Sequence, residues 1–152
     1  MELTPGQPAP DFSLEDQDGN TVSLGDFKGR KVVLYFYPKD DTHGCTIEAN
    51  QFNQLLTRFQ EQDVAVLGVS ADDAASHRRF RAKYGLNFPL LCDTTTDVSN
   101  AYGSYGERQY GDRTFTGVLR STFLIDGDGR IERAWYDVSP DGHPEAVHAE
   151  LV

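Results

Sequence analysis

The run Val32-Val33-Leu34-Tyr35-Phe36-Tyr37 narrows the folds open to this chain more than any other feature. Successive strand side chains point to opposite faces, so six apolar or aromatic residues in a row require cover on both. A second such run, Val64–Ser70 (VAVLGVS), comes after one helical segment. In that segment Phe52, Leu55, Leu56 and Phe59 recur at i, i+3, i+4 and i+7, one buried stripe of a helix running from about residue 45 to 62. Strands apolar on both faces and joined by helices describe a parallel sheet with helices packed on it.

The remaining elements extend this core. Residues 12–14 and 21–24 flank Asp16-Gln17-Asp18-Gly19-Asn20, which reads as a hairpin. A turn or short helix is expected over 25–30, and Pro38 ends the first core strand. Residues 39–44 are loop. A helix over 74–84 closes on Gly85, a short strand covers 88–92, and a helical turn spans 96–102. Residues 103–117 read as a long polar loop holding a ragged hairpin. Strands over 121–125 and 131–138 flank the turn Asp126-Gly127-Asp128-Gly129. A closing helix covers 144–151, with Pro144 in its first turn. The expected fold class is α/β: a mixed central sheet flanked by helices, with an N-terminal β-hairpin extension.

A chain of 152 residues corresponds to one domain, 1–152, with a core that needs no staple. The net charge of −10 speaks against a nucleic-acid partner and against an anionic membrane surface. No apolar stretch is long enough for a membrane helix, and the first residues show no basic start or apolar signal region. Two cysteines are too few for a disulfide framework, so a reducing cytoplasm is the expected setting.

Cys45 is the candidate nucleophile. It lies in the first turn of a helix that follows a core strand, where free N–H groups and the helix dipole favour an anion. Ionisation alone is a small gain: a thiol of pKa about 8.5 is already about 3% ionised at pH 7, so complete ionisation adds about 30-fold. A fast reaction needs donors for charge that develops in the transition state. Thr42, three residues earlier, is one candidate and also the helix N-cap. A second donor must come from elsewhere in the chain.

The segment YFYPKDDTHGCTIEANQF (35–52) resembles the active-site region of peroxiredoxins, most closely the bacterioferritin-comigratory, or peroxiredoxin Q, branch. The segment GVLRSTFLIDGDGRI (117–131) resembles the arginine-bearing strand of that family. FPLLCD (88–93), YGSYGE (102–107) and DGHPEAV (141–147) are also similar to it. The resemblance implies a thioredoxin-like fold and reduction of hydrogen peroxide and organic hydroperoxides, in antioxidant defence. It makes Cys45 the peroxidatic cysteine, oxidised to a sulfenic acid. Arg120 becomes the distant donor to the peroxide, Thr42 a hydrogen-bond partner, and Pro38 the wall that limits water. Glu48 matches a family position that orients the loop or the arginine. No metal, flavin or other cofactor is implied.

The chain departs from that branch where a resolving cysteine is expected, with Asn50 and Arg81 at the two positions concerned. His43 stands where the family usually has proline, and is expected to be solvated. Only Cys92 is left as a possible internal resolving thiol. The expected route is therefore a one-Cys mechanism, completed by thioredoxin, glutaredoxin or a low-molecular-weight thiol, in a monomer or weak homodimer. Three other readings share these residues. A dithiol oxidoreductase needs a second cysteine where Glu48 stands. A Cys–His hydrolase would draw on His77, His143 or His148. A redox sensor or holdase would oxidise Cys45 without turnover.

Overall fold

The computed structural model describes residues 2–151, so Met1 and Val152, the ends of the expected 1–152 domain, lie outside the described residues. One seven-stranded sheet organises the chain. Its centre is β3 (Lys31–Phe36) and β4 (Val64–Ser70), the two runs apolar on both faces. They pair in parallel from Lys31↔Val64 to Phe36↔Val69, and β5 (Leu90–Cys92) continues the parallel arrangement beyond β4. On the other side of β3, β8 (Ser121–Ile125) runs antiparallel, followed by β9 (Ile131–Trp135). The N-terminal hairpin, β1 (Ser13–Glu15) and β2 (Thr21–Ser23), caps the far edge through Glu15↔Cys92. The mixed sheet, its flanking helices and the hairpin extension match the expectation.

Strand alternation divides the interior into two cores. Val33, Tyr35, Val66 and Leu90 face α1 (His43–Glu61), α2 (Ala74–Tyr84) and α4 (His143–Ala149). Val32, Leu34, Phe36 and Leu67 face the opposite layer, built around Phe12, Tyr102 and Phe123. Of the stripe read from the sequence, α1 buries Phe52, Leu56 and Phe59 and leaves Leu55 partly buried, and Ala49 is buried one turn earlier. α2 is capped at its start by the Asp73 carboxylate, which accepts from Ser76 N–H. It ends at Gly85 in a left-handed conformation, φ 62°, which suits a residue without Cβ. α3 (Asp97–Ala101) supplies the short turn expected near residue 100.

Some boundaries differ from expectation. The 103–117 region is a regular ribbon of β6 (Tyr105–Tyr110) and β7 (Arg113–Val118), paired from Tyr105↔Val118 to Tyr110↔Arg113. Much of β7 is exposed, so the inside–outside alternation that reveals a strand is weak there. β9 stops at Trp135, short of residue 138, because Asp137 takes a left-handed φ of 51°. Val138 N–H then donates to the Arg120 carbonyl at 3.0 Å, which fixes the backbone of the residue preceding β8.

Candidate active site

β3 ends at Phe36, and the chain turns through Tyr37 and half-buried Pro38 into the loop before α1. Thr42, extended at φ −86° and ψ 161°, opens the helix, and Cys45 lies in its first turn. The Cys45 N–H is thus among the first-turn donors that a helix leaves unpaired. Its side chain is 1% exposed. Arg120, 75 residues later, enters from the start of β8, because the antiparallel pair Phe36↔Ser121 brings that strand beside the end of β3.

Arg120 Nη2 donates to Cys45 Sγ at 3.4 Å, and Nη1 donates to Glu48 Oε1 at 2.6 Å. Glu48 is one helical turn after Cys45, so one face of α1 presents the sulfur and the carboxylate that grips its guanidinium partner. Glu48 is fully buried, and burial pushes its carboxyl up to about 7 against the opposing pull of Arg120. Burial also weighs against charge on Arg120, but Glu48 and Cys45 together outweigh it and raise the guanidinium above its ordinary value. One cation leaves Glu48 undercompensated, whereas two acidic neighbours overcompensate Arg120. Glu48 Oε2 and Tyr35 Oη are buried without a hydrogen-bond partner among the described residues. Tyr35 rises well above its ordinary value, mainly through burial and then through the charge of Glu48.

The structure therefore unites Cys45, Arg120 and Glu48. Thr42 and Pro38 stand in the segment that leads to them. The Thr42 hydroxyl makes no cap to the helix and donates to the Lys39 carbonyl at 2.9 Å, which leaves its lone pairs for another donor. His43 is exposed, as expected.

Cys92 ends β5, with Sγ 3.8 Å from the Asp16 carbonyl. Burial, reinforced by nearby carboxylates, pushes its thiol up to about 11. β5 lies two strands from β3, about 10 Å at the usual strand spacing, and the Cys45 sulfur meets Arg120, which leads into β8 on the other side of β3. A disulfide needs Cα atoms within about 7 Å.

The histidines considered for a hydrolase are engaged elsewhere. His77 contacts Asp40 and the Leu91 carbonyl, His143 contacts Thr122, and His148 packs edge-on against Phe59. Among the described residues, Asp40, Asp72 and His77 form the one trio whose potential metal-ligating atoms lie within 4.8 Å. The contact between His77 Nδ1 and Asp40 Oδ2, at 2.7 Å, already joins two of those atoms directly.

Two positions that shape the site carry no chemistry of their own and escaped the sequence reading. A Cβ on Gly44 would lie 3.1 Å from Arg120 Nη2 and 3.2 Å from Pro140 Cγ. Arg120 reaches the sulfur across a bare helix position under the cover of Pro140. A glycine beside the nucleophile in a helix's first turn is the signal that could have marked the approach. Pro140, 20 residues beyond the arginine, had none.

The family model described as the AhpC/TSA family matches residues 5–134. A putative peroxiredoxin Bcp of Helicobacter pylori is 44% identical over 150 residues, covering 99% of both chains. A cysteine-to-serine variant of Xanthomonas campestris peroxiredoxin Q is similar at TM-score 0.90 and 37% identity, covering 98% of each chain. A structure of the Xanthomonas campestris bacterioferritin comigratory protein, a study of its alkyl peroxide reduction activity, is similar at TM-score 0.88 and 36% identity. That likeness covers 99% of this chain and 96% of the other. No helix among the described residues is long and apolar enough to cross a membrane.

Proposed function

The chain belongs to the AhpC/TSA family as a peroxiredoxin of the Bcp and peroxiredoxin Q kind, and from that premise we propose that Cys45 is its peroxidatic thiolate. The observation that carries the proposal is the Arg120 guanidinium, held by Glu48 at 2.6 Å and presented to Cys45 Sγ at 3.4 Å. A guanidinium offers several fixed donors and a permanent charge, which suits the adjacent oxygens of a peroxide. Glu48 uses one end of the fork and so orients the other.

In the first step the Cys45 thiolate attacks the terminal peroxide oxygen. The S–O bond forms as the O–O bond breaks, giving a sulfenic acid and an alkoxide or hydroxide that takes up a proton. Arg120 and the Cys45 N–H stabilise the charge that moves onto the departing oxygen. The Thr42 hydroxyl, with its proton on the Lys39 carbonyl, accepts a hydrogen bond from the peroxide O–H. Pro38 closes the pocket against water.

A thiol then attacks the sulfenic sulfur, releasing water and leaving a mixed disulfide, and a second thiol regenerates Cys45. The position of Cys92, two strands away, supports an external thiol over an internal one. Thioredoxin, glutaredoxin or a small thiol fills that role, in a monomer or weak homodimer of the cytoplasm. Hydrogen peroxide and organic hydroperoxides are the proposed substrates. The alkyl peroxide reduction studied in the Xanthomonas campestris relative supports the second class.

The test is peroxide consumption with three reductants in parallel: thioredoxin with its reductase, glutaredoxin with glutathione, and dithiothreitol. At least one is expected to sustain turnover, and Cys45→Ser to abolish it. No consumption with any of them would overturn the enzyme reading. One equivalent of peroxide is expected to add one oxygen to the intact mass, whereas loss of two hydrogens with Cys45 and Cys92 linked would overturn the external-thiol route.

A further inference from the structure

The loop before Cys45 is fastened to α2 and β5 by a buried polar cluster that the peroxidase chemistry does not use. At its centre is His77, 0% exposed. Its Nε2 lies 2.9 Å from the Leu91 carbonyl, which only accepts, so Nε2 carries a hydrogen. Its Nδ1 lies 2.7 Å from Asp40 Oδ2. Asp40 also receives the Tyr37 hydroxyl at 2.6 Å and the Ser76 hydroxyl at 2.8 Å, and its backbone N–H donates to Asp72 at 2.8 Å. The next residue, Asp41, sits at φ 61° and takes Lys83 Nζ and the Tyr84 hydroxyl, each at 2.8 Å. Two successive carboxylates thus tie the loop to both ends of α2, five and four residues before the nucleophile.

We propose that His77 is a positioning residue for the peroxide reaction: through Asp40 it holds the loop so that Thr42 and the first turn of α1 meet Arg120, and it keeps Cys45 enclosed. The inference rests on Cys45 being the peroxidatic thiol. Because the sulfur is 1% exposed, anything larger than a peroxide reaches it only when this segment opens, and the cluster sets how often that occurs. A misplacement of about 1 Å in such a constellation is enough to cost up to about 100-fold in rate. Loosening the cluster should therefore move two reactions of one sulfur in opposite directions: slower with peroxide, faster with a bulky electrophile.

The test compares His77→Gln and His77→Asn in a Cys92→Ser background, with folding checked by circular dichroism. Single-turnover oxidation by hydrogen peroxide and labelling of Cys45 by N-ethylmaleimide are timed for each. In His77→Gln, oxidation is expected to fall by roughly tenfold or more and labelling to rise by a similar factor. His77→Asn places an amide N–H at the Nδ1 position, within reach of Asp40, and is expected to restore most of the oxidation rate. A purely structural role would lower stability without splitting the two rates. Wild-type rates in His77→Gln, rates that change in the same direction, or an Asn variant no better than Gln would each overturn the inference. If His77→Gln does not fold, Ser76→Ala and Asp41→Asn replace it, with smaller shifts of the same opposed signs, and unchanged rates in both overturn it. A wild-type protein that consumes no peroxide would overturn the enzyme reading instead, so the two failures are distinguishable.

Discussion

Replacing Glu48 by Gln removes one titration from the interior while keeping an oxygen to accept from Arg120. The structure gives the size of that titration. The Glu48 carboxyl, ordinarily near 4.5, stands at about 7 because burial outweighs the attraction of Arg120. Between those values the folded chain holds a proton that the unfolded chain has lost. The stability this contributes is fully present below 4.5 and is lost as pH rises through about 7. At about 1.4 kcal/mol per pH unit, the loss from pH 5 to pH 8 comes to roughly 2–3 kcal/mol. For a chain of this size that is about 5–10 °C in Tm. His143 acts in the opposite sense: burial, aided by the charge of Arg120, lowers its imidazole to about 4. Its contribution is present above its ordinary 6.5 and is lost as pH falls through about 4. The wild-type profile alone therefore masks both groups. The assay is urea unfolding of wild type and Glu48→Gln from pH 5 to 8. The stability of wild type relative to the variant is expected to fall by about 2–3 kcal/mol across that range. Parallel profiles would refute the account of Glu48 as an undercompensated buried acid.

Three further outcomes follow from the geometry. Arg120→Lys places one ammonium where a fork now serves Glu48 and Cys45, and should slow single-turnover oxidation by about tenfold or more, read by quenched-flow mass spectrometry. Gly44→Ala puts a methyl 3.1 Å from Arg120 Nη2 and should also slow oxidation, with little change in helix content by circular dichroism. Cys92→Ser should leave steady-state peroxide consumption with dithiothreitol within about twofold of wild type, since a thiol pushed up to about 11 is scarcely ionised at neutral pH.

How much was legible in the chain depends on the range over which each signal acts. The alternation of apolar runs with a 3.6-residue stripe placed β3, α1 and β4, because that pattern is local and burial on both faces is hard to disguise. Cys45 at a helix start was also local. Arg120 came only through resemblance, since nothing in periodicity joins residues 75 apart. Thr42 was placed correctly, but the direction of its hydroxyl was not, because the Lys39 carbonyl three residues earlier takes its proton. The His77–Asp40 contact left no trace, since a single histidine on a polar helix looks the same whether it is solvated or enclosed. The β6–β7 ribbon was blurred by its own exposure.

The pairing of β3 with β8 has a consequence for synthesis. Cys45 is synthesised 75 residues before Arg120, and the strand that carries the arginine can dock beside β3 only once those residues have left the ribosome. Until then the nascent chain holds Cys45 without the guanidinium beside it. In the proposed chemistry, reactivity toward oxidant arrives with that docking rather than with the cysteine itself.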